Sequence, residues 1–473
     1  MRKLLLAATA MIGATAGMAT VANAQVTPPA VVVVPPPSPS VSMPSTSPQP
    51  GTAVVRINVR LTADFMVGND SGNGFRTQTN STTGVAAKVQ PWYFGEFARI
   101  YPAFDGVTPN GVKYGASLEV RQNSGGTGVN QATNNLSGSS GNTLFWRRET
   151  GYVGTDTLGT VRFGQTDGVQ SLYLVGTFEN FDFEGGWNGD LPALFSPAAQ
   201  VAWNFPDSGV WYTTSKLIYL SPNFGGFDFG FDWEPSSTQT SGDGACAGTA
   251  ASTVITLGCA TVSSLSGPFA TIQPQLALRR NTTSLFGRYR GSFGPFGWVP
   301  PVGFVVEGGW VHSGQVSNGN SGIQPISYNP MNYYDVGAVG TIGGLAFGGN
   351  VQWGTKNQSV LLQKGGRHET DFIVGTSYAI GPFIAGVSFI NELYQGAFNG
   401  NNTTTPHSTL GITHDIGISV GATYDWAPGS SLYFDYLWGT RHQANHDFFA
   451  NTTGPFNNKT RAMGAIIGQN FRW

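Results

Sequence analysis

Val55-Arg56-Ile57-Asn58-Val59-Arg60-Leu61-Thr62-Ala63-Asp64-Phe65 alternates apolar and polar residues without a break. Successive side chains of a strand point to opposite faces. Val55, Ile57, Val59, Leu61, Ala63 and Phe65 therefore share one face, and Arg56, Asn58, Arg60, Thr62 and Asp64 share the other. A helix would mix the two sets. The same beat recurs from Val112 to Arg121, and again where Phe227, Phe229, Phe231 and Trp233 oppose Asp228, Gly230, Asp232 and Glu234. It returns where Leu345, Phe347, Val351 and Trp353 oppose Asn350 and Gln352, and where Leu432, Phe434, Tyr436 and Trp438 oppose Tyr433 and Asp435. A soluble sheet would not turn four aromatics toward water. A barrel crossing lipid does so, with its apolar row on acyl chains and its polar row on a wet interior.

Composition agrees with this reading. Of 473 residues, 11% are charged, against about 25% in an ordinary soluble domain. Glycine contributes 66 residues and aromatics 12%, yet the mean hydropathy is only -0.09. Beyond the N-terminus there is no uncharged apolar run of about 20 residues, so transmembrane helices are excluded. A net charge of -2 without a basic cluster argues against nucleic acid as a partner.

The N-terminus reads as an export signal. Arg2 and Lys3 precede the apolar stretch Leu4 to Val21, which ends at Ala22-Asn23-Ala24, a small-x-small cleavage pattern. Residues 1–24 are thus expected to be a signal peptide, and the mature chain would carry a net charge of -4. Val26 to Pro50 holds nine prolines and no charge. Such a segment favours an extended, solvated backbone and cannot build a core, so residues 25–52 read as a periplasmic linker and 53–473 as the barrel.

The alternation predicts an all-β, antiparallel transmembrane barrel of sixteen strands. They are placed at 54–67, 88–101, 112–122, 143–154, 160–166, 209–221, 227–234, 283–293, 302–312, 331–342, 345–354, 370–380, 383–393, 412–425, 431–441 and 461–473. Tight connections such as Gly343-Gly344 and Gly381-Pro382 alternate with long polar ones, the pattern of short periplasmic turns and long external loops. An even count lets the sheet close, which removes edges whose donors and acceptors lipid cannot satisfy. One connection differs from the rest. Residues 167–208 carry Asp167, Glu179, Asp182, Glu184 and Asp190 amid Phe178, Phe181, Phe183, Trp187 and Trp203, with no Lys or Arg. A long loop with its own apolar side chains packs against something, and the barrel interior offers the space.

The run Arg147-Arg148-Glu149-Thr150-Gly151-Tyr152-Val153-Gly154-Thr155, followed by Leu158-Gly159-Thr160-Val161-Arg162-Phe163-Gly164-Gln165, resembles the hairpin that precedes the constriction loop of Gram-negative general diffusion porins. Tyr219 to Phe227, Ala427-Pro428-Gly429-Ser430 and the aromatic end Phe471-Arg472-Trp473 match in the same order. The resemblance covers nearly all of 54–473. It departs at the last residue, Trp473 where the family usually has Phe, and at the proline-rich leader. Phe471 and Trp473 would still serve as the terminal aromatic assembly signal.

The resemblance implies an outer-membrane homotrimer in contact with lipid and lipopolysaccharide, whose third loop folds inward to narrow each channel. It further implies acids on that loop facing a basic wall. Asp167, Glu179, Asp182, Glu184 and Asp190 are the candidates on the loop. Arg56, Arg60, Lys113, Arg121, Arg147, Arg162, Arg288 and Arg290 are the candidates on the wall. Opposed charges in a narrow passage would order water and favour small polar solutes and ions. The competing reading is that these arginines pair with wall acids such as Glu119 and Glu149.

Cys246 and Cys259 fall in one external loop of an oxidising compartment, where a disulfide is expected. His442 and His446, beside Asp447, have four-residue spacing, but that favours zinc only on a helix, so no metal and no cofactor are expected. His414, Asp415 and Ser419 supply the residue types of a hydrolase without its motif, and no enzyme is read. The functional expectation is passive diffusion of small hydrophilic solutes and ions. Two alternatives stand beside it: a sugar-selective channel in which Phe178, Phe181, Trp187 and Trp203 stack on sugar rings, and a structural or adhesion barrel tethered to the cell wall by its proline-rich arm.

Overall fold

The computed structural model describes residues 48–71, 78–79, 86–87, 91–123, 143–178, 181, 186–187, 189, 191–195, 198–199, 201, 214–236, 280–295, 300–314, 329–356, 362, 366–398, 410–449 and 452–473. Residues 1–47, Cys246, Cys259 and Trp203 lie outside the described residues, and so do Glu179, Asp182, Glu184 and Asp190.

Sixteen strands form one closed antiparallel barrel. In chain order they are β1 (Thr52–Asp70), β2 (Trp92–Val107), β3 (Lys113–Asn123), β4 (Thr143–Thr155), β5 (Gly159–Thr166), β6 (Thr214–Leu220), β7 (Phe227–Ser236) and β8 (Arg280–Phe293). The second half comprises β9 (Val302–Gly314), β10 (Asn332–Ile342), β11 (Leu345–Thr355), β12 (Glu369–Ile380), β13 (Phe383–Phe398), β14 (Leu410–Ala427), β15 (Ser430–His442) and β16 (Lys459–Arg472). Every strand pairs with its neighbours in sequence, and β1 pairs with β16 from Arg60↔Arg472 to Asp70↔Ala462. Val59 and Trp473 complete the seam by exchanging two backbone hydrogen bonds, of 2.8 and 3.2 Å. No sheet edge is left open to lipid, as a spanning sheet requires.

Alternation fixes which face is which. Val55 is 75% exposed and Ile57 63%, whereas Thr62, Asp64 and Met66 on the opposite face are buried inside the barrel. Phe227, Phe231 and Trp233 point out while Asp228, Asp232 and Glu234 point in, matching the expected parity. No helix among the described residues is long and apolar enough to cross a membrane; the crossing is made by strands.

The largest boundary difference is β2, expected at 88–101 and found at Trp92–Val107. Pro102 interrupts the sequence pattern because it lacks a backbone donor. It is nonetheless carried within the strand, opposite Ile57, at a gap in the β2–β3 ladder between Ile100↔Val120 and Ala103↔Ser117. A second departure has chemical consequences. Between β3 and β4 the register slips from Glu119↔Arg148 to Val120↔Trp146, leaving Arg147 as the extra residue of a bulge. Arg147 and Arg148 both turn inward, and Glu149 turns out to the exposed face. Glu149 is therefore not the interior acid that strict alternation suggests.

Candidate functional site: the barrel interior

The loop that follows β5 enters the barrel and runs along its inner wall. Its first turn is the short helix α1 (Val169–Tyr173), all of whose residues are buried. The backbone N–H of Val169 donates to Asp232 of β7, and Gln170 Nε2 donates to Asp335 Oδ2 of β10 at 2.7 Å. Further on, Asn350 Nδ2 donates to the Val175 carbonyl at 3.1 Å, Thr423 Oγ1 to the Phe181 carbonyl at 3.0 Å, and Thr460 Oγ1 to the Ala198 carbonyl at 3.0 Å. The loop thus crosses from β7 to β16 and reaches β1.

Glycines make room for it. A methyl group at Gly230 (β7) would lie 2.7 Å from the Tyr173 ring, one at Gly375 (β12) 2.7 Å from Phe178, and one at Gly386 (β13) within 2.3 Å of Phe181. Gly417 (β14) stands in the same relation to Trp187, Gly439 (β15) to Val201, Gly464 (β16) to Leu191, and Gly68 (β1) to Leu194. These glycines provide notches in the inner wall, because an added Cβ would occupy space that a loop side chain already fills. Three apolar clusters result, one of them Phe178 and Phe181 on Ala346 and Ile384. Val169, Leu172 and Tyr173 pack on Ile218, Phe286 and Tyr333, while Trp187, Leu191 and Phe195 pack on Ile390, Leu437 and Ile466. Burial also pushes the ionisation of the Tyr173 hydroxyl well up.

Charges are segregated around the same interior. Cross-strand register places Arg472, Arg60, Arg99 and Arg121 side by side on β16, β1, β2 and β3. The β4 bulge brings Arg147 and Arg148 beside them, and all three of Arg121, Arg147 and Arg148 converge on Glu119. Arg147 Nη1 donates to Glu119 Oε2 at 3.1 Å, Arg148 Nη1 to the same oxygen at 2.6 Å, and Arg148 Nη2 to Asp167 Oδ1 at 2.9 Å. Away from this side, Asp371, Glu392 and Asp415 are direct neighbours on β12, β13 and β14. Arg441 donates to Asp415 and Lys356 lies 3.3 Å from Glu369 and 3.4 Å from Asp371. Although burial alone would lower it, these two carboxylates hold the Lys356 ammonium above its ordinary value.

The residues expected to form a charged passage are distributed as follows. Arg60, Arg121 and Arg147 stand in the arginine group, and Arg162 faces the interior next to it, with Nη2 3.5 Å from Thr166 Oγ1. Arg56 pairs with Asp105 and Lys113 with Asp156, both toward the end that bears the short turns. Arg288 and Arg290 share Asp228 at 2.6 and 3.2 Å. Asp167, the one loop acid among the described residues, binds Arg148 on its own side of the barrel. Sequence reading missed Arg99, Arg148 and Arg472, and it missed the carboxylate row entirely. Inward parity marks Asp371, Glu392 and Asp415, but only register shows them adjacent. His442 is exposed on the outer face and His446 is buried against Phe448 with ring centroids 5.0 Å apart, so the two do not converge. Asp415 and Ser419 face inward and His414 outward, which separates that trio as well.

A family model described as Gram-negative porin matches residues 7–465. The chain belongs to the Gram-negative porin family. Solved structures similar to this porin include an anion-selective porin from Comamonas acidovorans, at 15% identity and TM-score 0.48, covering 89% of this chain and 100% of that one. Another is Salmonella typhi OmpF in complex with daunomycin, at 13% identity and TM-score 0.48, covering 89% and 97%. A third is the trimer form of Vibrio cholerae OmpT, at 11% identity and TM-score 0.47, covering 89% and 99%. No curated protein sequence matches the chain significantly. As a porin it is an outer-membrane channel for passive diffusion.

Proposed function

We propose that this porin passes small hydrophilic solutes and ions through a throat between the inner loop and the arginine side of the barrel, without catalysis or cofactor. The carrying observation is the arrangement Arg472, Arg60, Arg99 and Arg121 in lateral register, with Arg147 and Arg148 beside them. Like charges directly opposite one another destabilise a sheet, so the row is costly as mere structure and useful as an electrostatic wall. Glu179, Asp182, Glu184 and Asp190 would face it from the loop. Phe178, Phe181 and Trp187 are buried on wall glycines, which supports a packing role for them over sugar stacking.

The working unit in this reading is a homotrimer embedded among lipid and lipopolysaccharide. Glu96 of β2 and Glu149 of β4 point outward from the barrel's N-terminal third. A carboxylate on the lipid-facing surface is unfavourable, which supports cover by a neighbouring copy there. The test is single-channel conductance of the purified protein in a planar bilayer under a salt gradient. Steps in groups of three, with a reversal potential that moves when Arg60 and Arg99 are changed to Gln, are expected. Absence of conductance would overturn the reading, and so would a reversal potential indifferent to both arginines.

A further inference from the structure

His442 ends β15 on the outer face, and the imidazole set beside it is that of His414, not that of His446. Register places the two directly opposite each other on β15 and β14. Leu393 of β13 lies on the far side of His414, and Lys459 of β16 on the far side of His442. Both strands are paired on both flanks, so the sheet fixes the spacing of the two histidines. From Leu432 to His442 is about 33 Å along a strand at 3.3–3.4 Å per residue, or roughly 25 Å of height at a tilt near 40°, which is the full apolar band. The pair therefore stands at the water's edge. This end of the strands carries the long connections, while Pro428 and Gly429 make the short turn at the other.

The fold does not use these imidazoles as it uses the others. His312 stacks on Trp310 with ring centroids 5.5 Å apart, and His446 is packed into its hairpin against Phe448. His442, by contrast, is exposed, and His414 Nε2 is shielded from water yet has no hydrogen-bond partner among the described residues. A shielded polar atom without a partner is costly. Directly opposed residues of a sheet have Cβ atoms about 4.5–5.5 Å apart. Two imidazoles on such a pair can each bring a nitrogen to within about 3 Å of the other, the separation that bonds of about 2.0–2.1 Å to one metal ion require. Lys459 is exposed, and its flexible stem lets the ammonium stay in water. The outward neighbours Leu393, Ile416, Thr440 and Lys459 include no carboxylate, so a hard, oxygen-seeking cation has little to bind there.

We propose that His414 and His442 form a bidentate site for a divalent transition-metal ion, with water completing its coordination. Imidazole suits copper, nickel and zinc, and the general order of affinity places Cu2+ first. The site faces away from the lumen and ties β14 to β15 at their external ends, so it is separate from the passage that solutes take.

The test uses the full mature chain, without a histidine tag, in detergent micelles. It is titrated with Cu2+ by calorimetry and followed by electron paramagnetic resonance. One Cu2+ per chain is expected, with the signature of two imidazole nitrogens. H414Q and H442Q should each weaken binding by at least about a hundredfold, because the second ligand of a linked pair acts at high effective concentration. H446Q should bind as the parent does, Zn2+ should compete for the site, and Mg2+ should not. Unchanged single-channel conductance would show that the H414Q/H442Q variant is folded, because both residues face away from the lumen. Parent binding no tighter than that of the double variant would overturn the site. A one-nitrogen spectrum that survives in H414Q, or displacement of Cu2+ by Mg2+, would overturn it equally.

Discussion

Trp187 offers the sharpest test of the seated loop. Its indole is 3% exposed, Nε1 donates to Ser388 Oγ at 3.0 Å, and a methyl group at Gly417 would stand 2.2 Å from the ring. Carbon atoms pack best at about 3.5–4.0 Å, so Gly417→Ala forces the ring back by more than an ångström. Overpacking of this kind costs about 1–3 kcal/mol, and Trp187→Ala, which empties the site, about 3–5 kcal/mol. Both costs fall on loop docking, because the β13–β14 and β14–β15 ladders do not pass through the indole. A loss of about 3 kcal/mol raises the undocked population of the loop by roughly a hundredfold. When Gly417→Ala and Trp187→Ala are combined, the added methyl group partly fills the hole left by the indole, so the cost should be below the sum of the single ones by about 1 kcal/mol or more. Hydrogen exchange of residues 186–195, followed with single-channel conductance, reads the effect. Exchange should quicken and conductance become larger or noisier in each single variant. Strict additivity, or a loop in Trp187→Ala as protected as in the parent, would refute the seating.

Glu119→Gln removes the carboxylate that Arg121, Arg147 and Arg148 share; breaking such a buried pair costs about 3–5 kcal/mol, and both a lower thermal midpoint and a shift of the reversal potential toward anion preference are expected. Burial lowers the ionisation of His446 below its ordinary value, so the unfolded chain takes up the proton first. The hairpin 446–453 should be stable above about pH 6.5 and lose exchange protection as the pH falls below it, an effect that His446→Phe should abolish. Lys356 is shifted the other way: its contribution is present below about pH 10.4 and is lost as the pH rises through the higher folded value. Lys356→Met should therefore destabilise the segment after β11 at neutral pH and remove its alkaline transition, both visible by pH-dependent proteolysis.

Period-two alternation carried the barrel plainly, because each strand has one face in lipid and one in the lumen and the two environments demand opposite residues. All sixteen strands were legible in this way, including short β5. What alternation could not carry is anything that depends on height or on a break in parity. The Arg147 bulge leaves no mark in the run from Trp146 to Tyr152, and it reverses the face of Glu149. Pro102 reads as a stop and is not one, since the gap in the ladder absorbs its missing donor. The notches at Gly375, Gly386 and Gly417 have inward parity, but sequence does not say which loop ring each of them faces. The arginine row is invisible for the same reason: Arg60 and Arg472 are separated by most of the chain and meet only when the barrel closes.

The seating of the loop also divides the labour of the channel. Among its described residues the rings and aliphatic side chains pack on the wall, and their positions are set by glycines on seven of the strands they cross. The stretch 167–208 holds acids and no Lys or Arg, so whatever the loop does not bury carries charge of one sign. Width and selectivity then answer to different residues. Replacing Glu179, Asp182 or Glu184 with the amide should move the reversal potential and leave the conductance step nearly as it was, because the seats are untouched. Filling a notch, as in Gly386→Val beneath Phe181, should disturb both together. Finding instead that the amide variants change step size as strongly as the notch variant would mean that loop charge, and not the glycine wall, holds the loop in place.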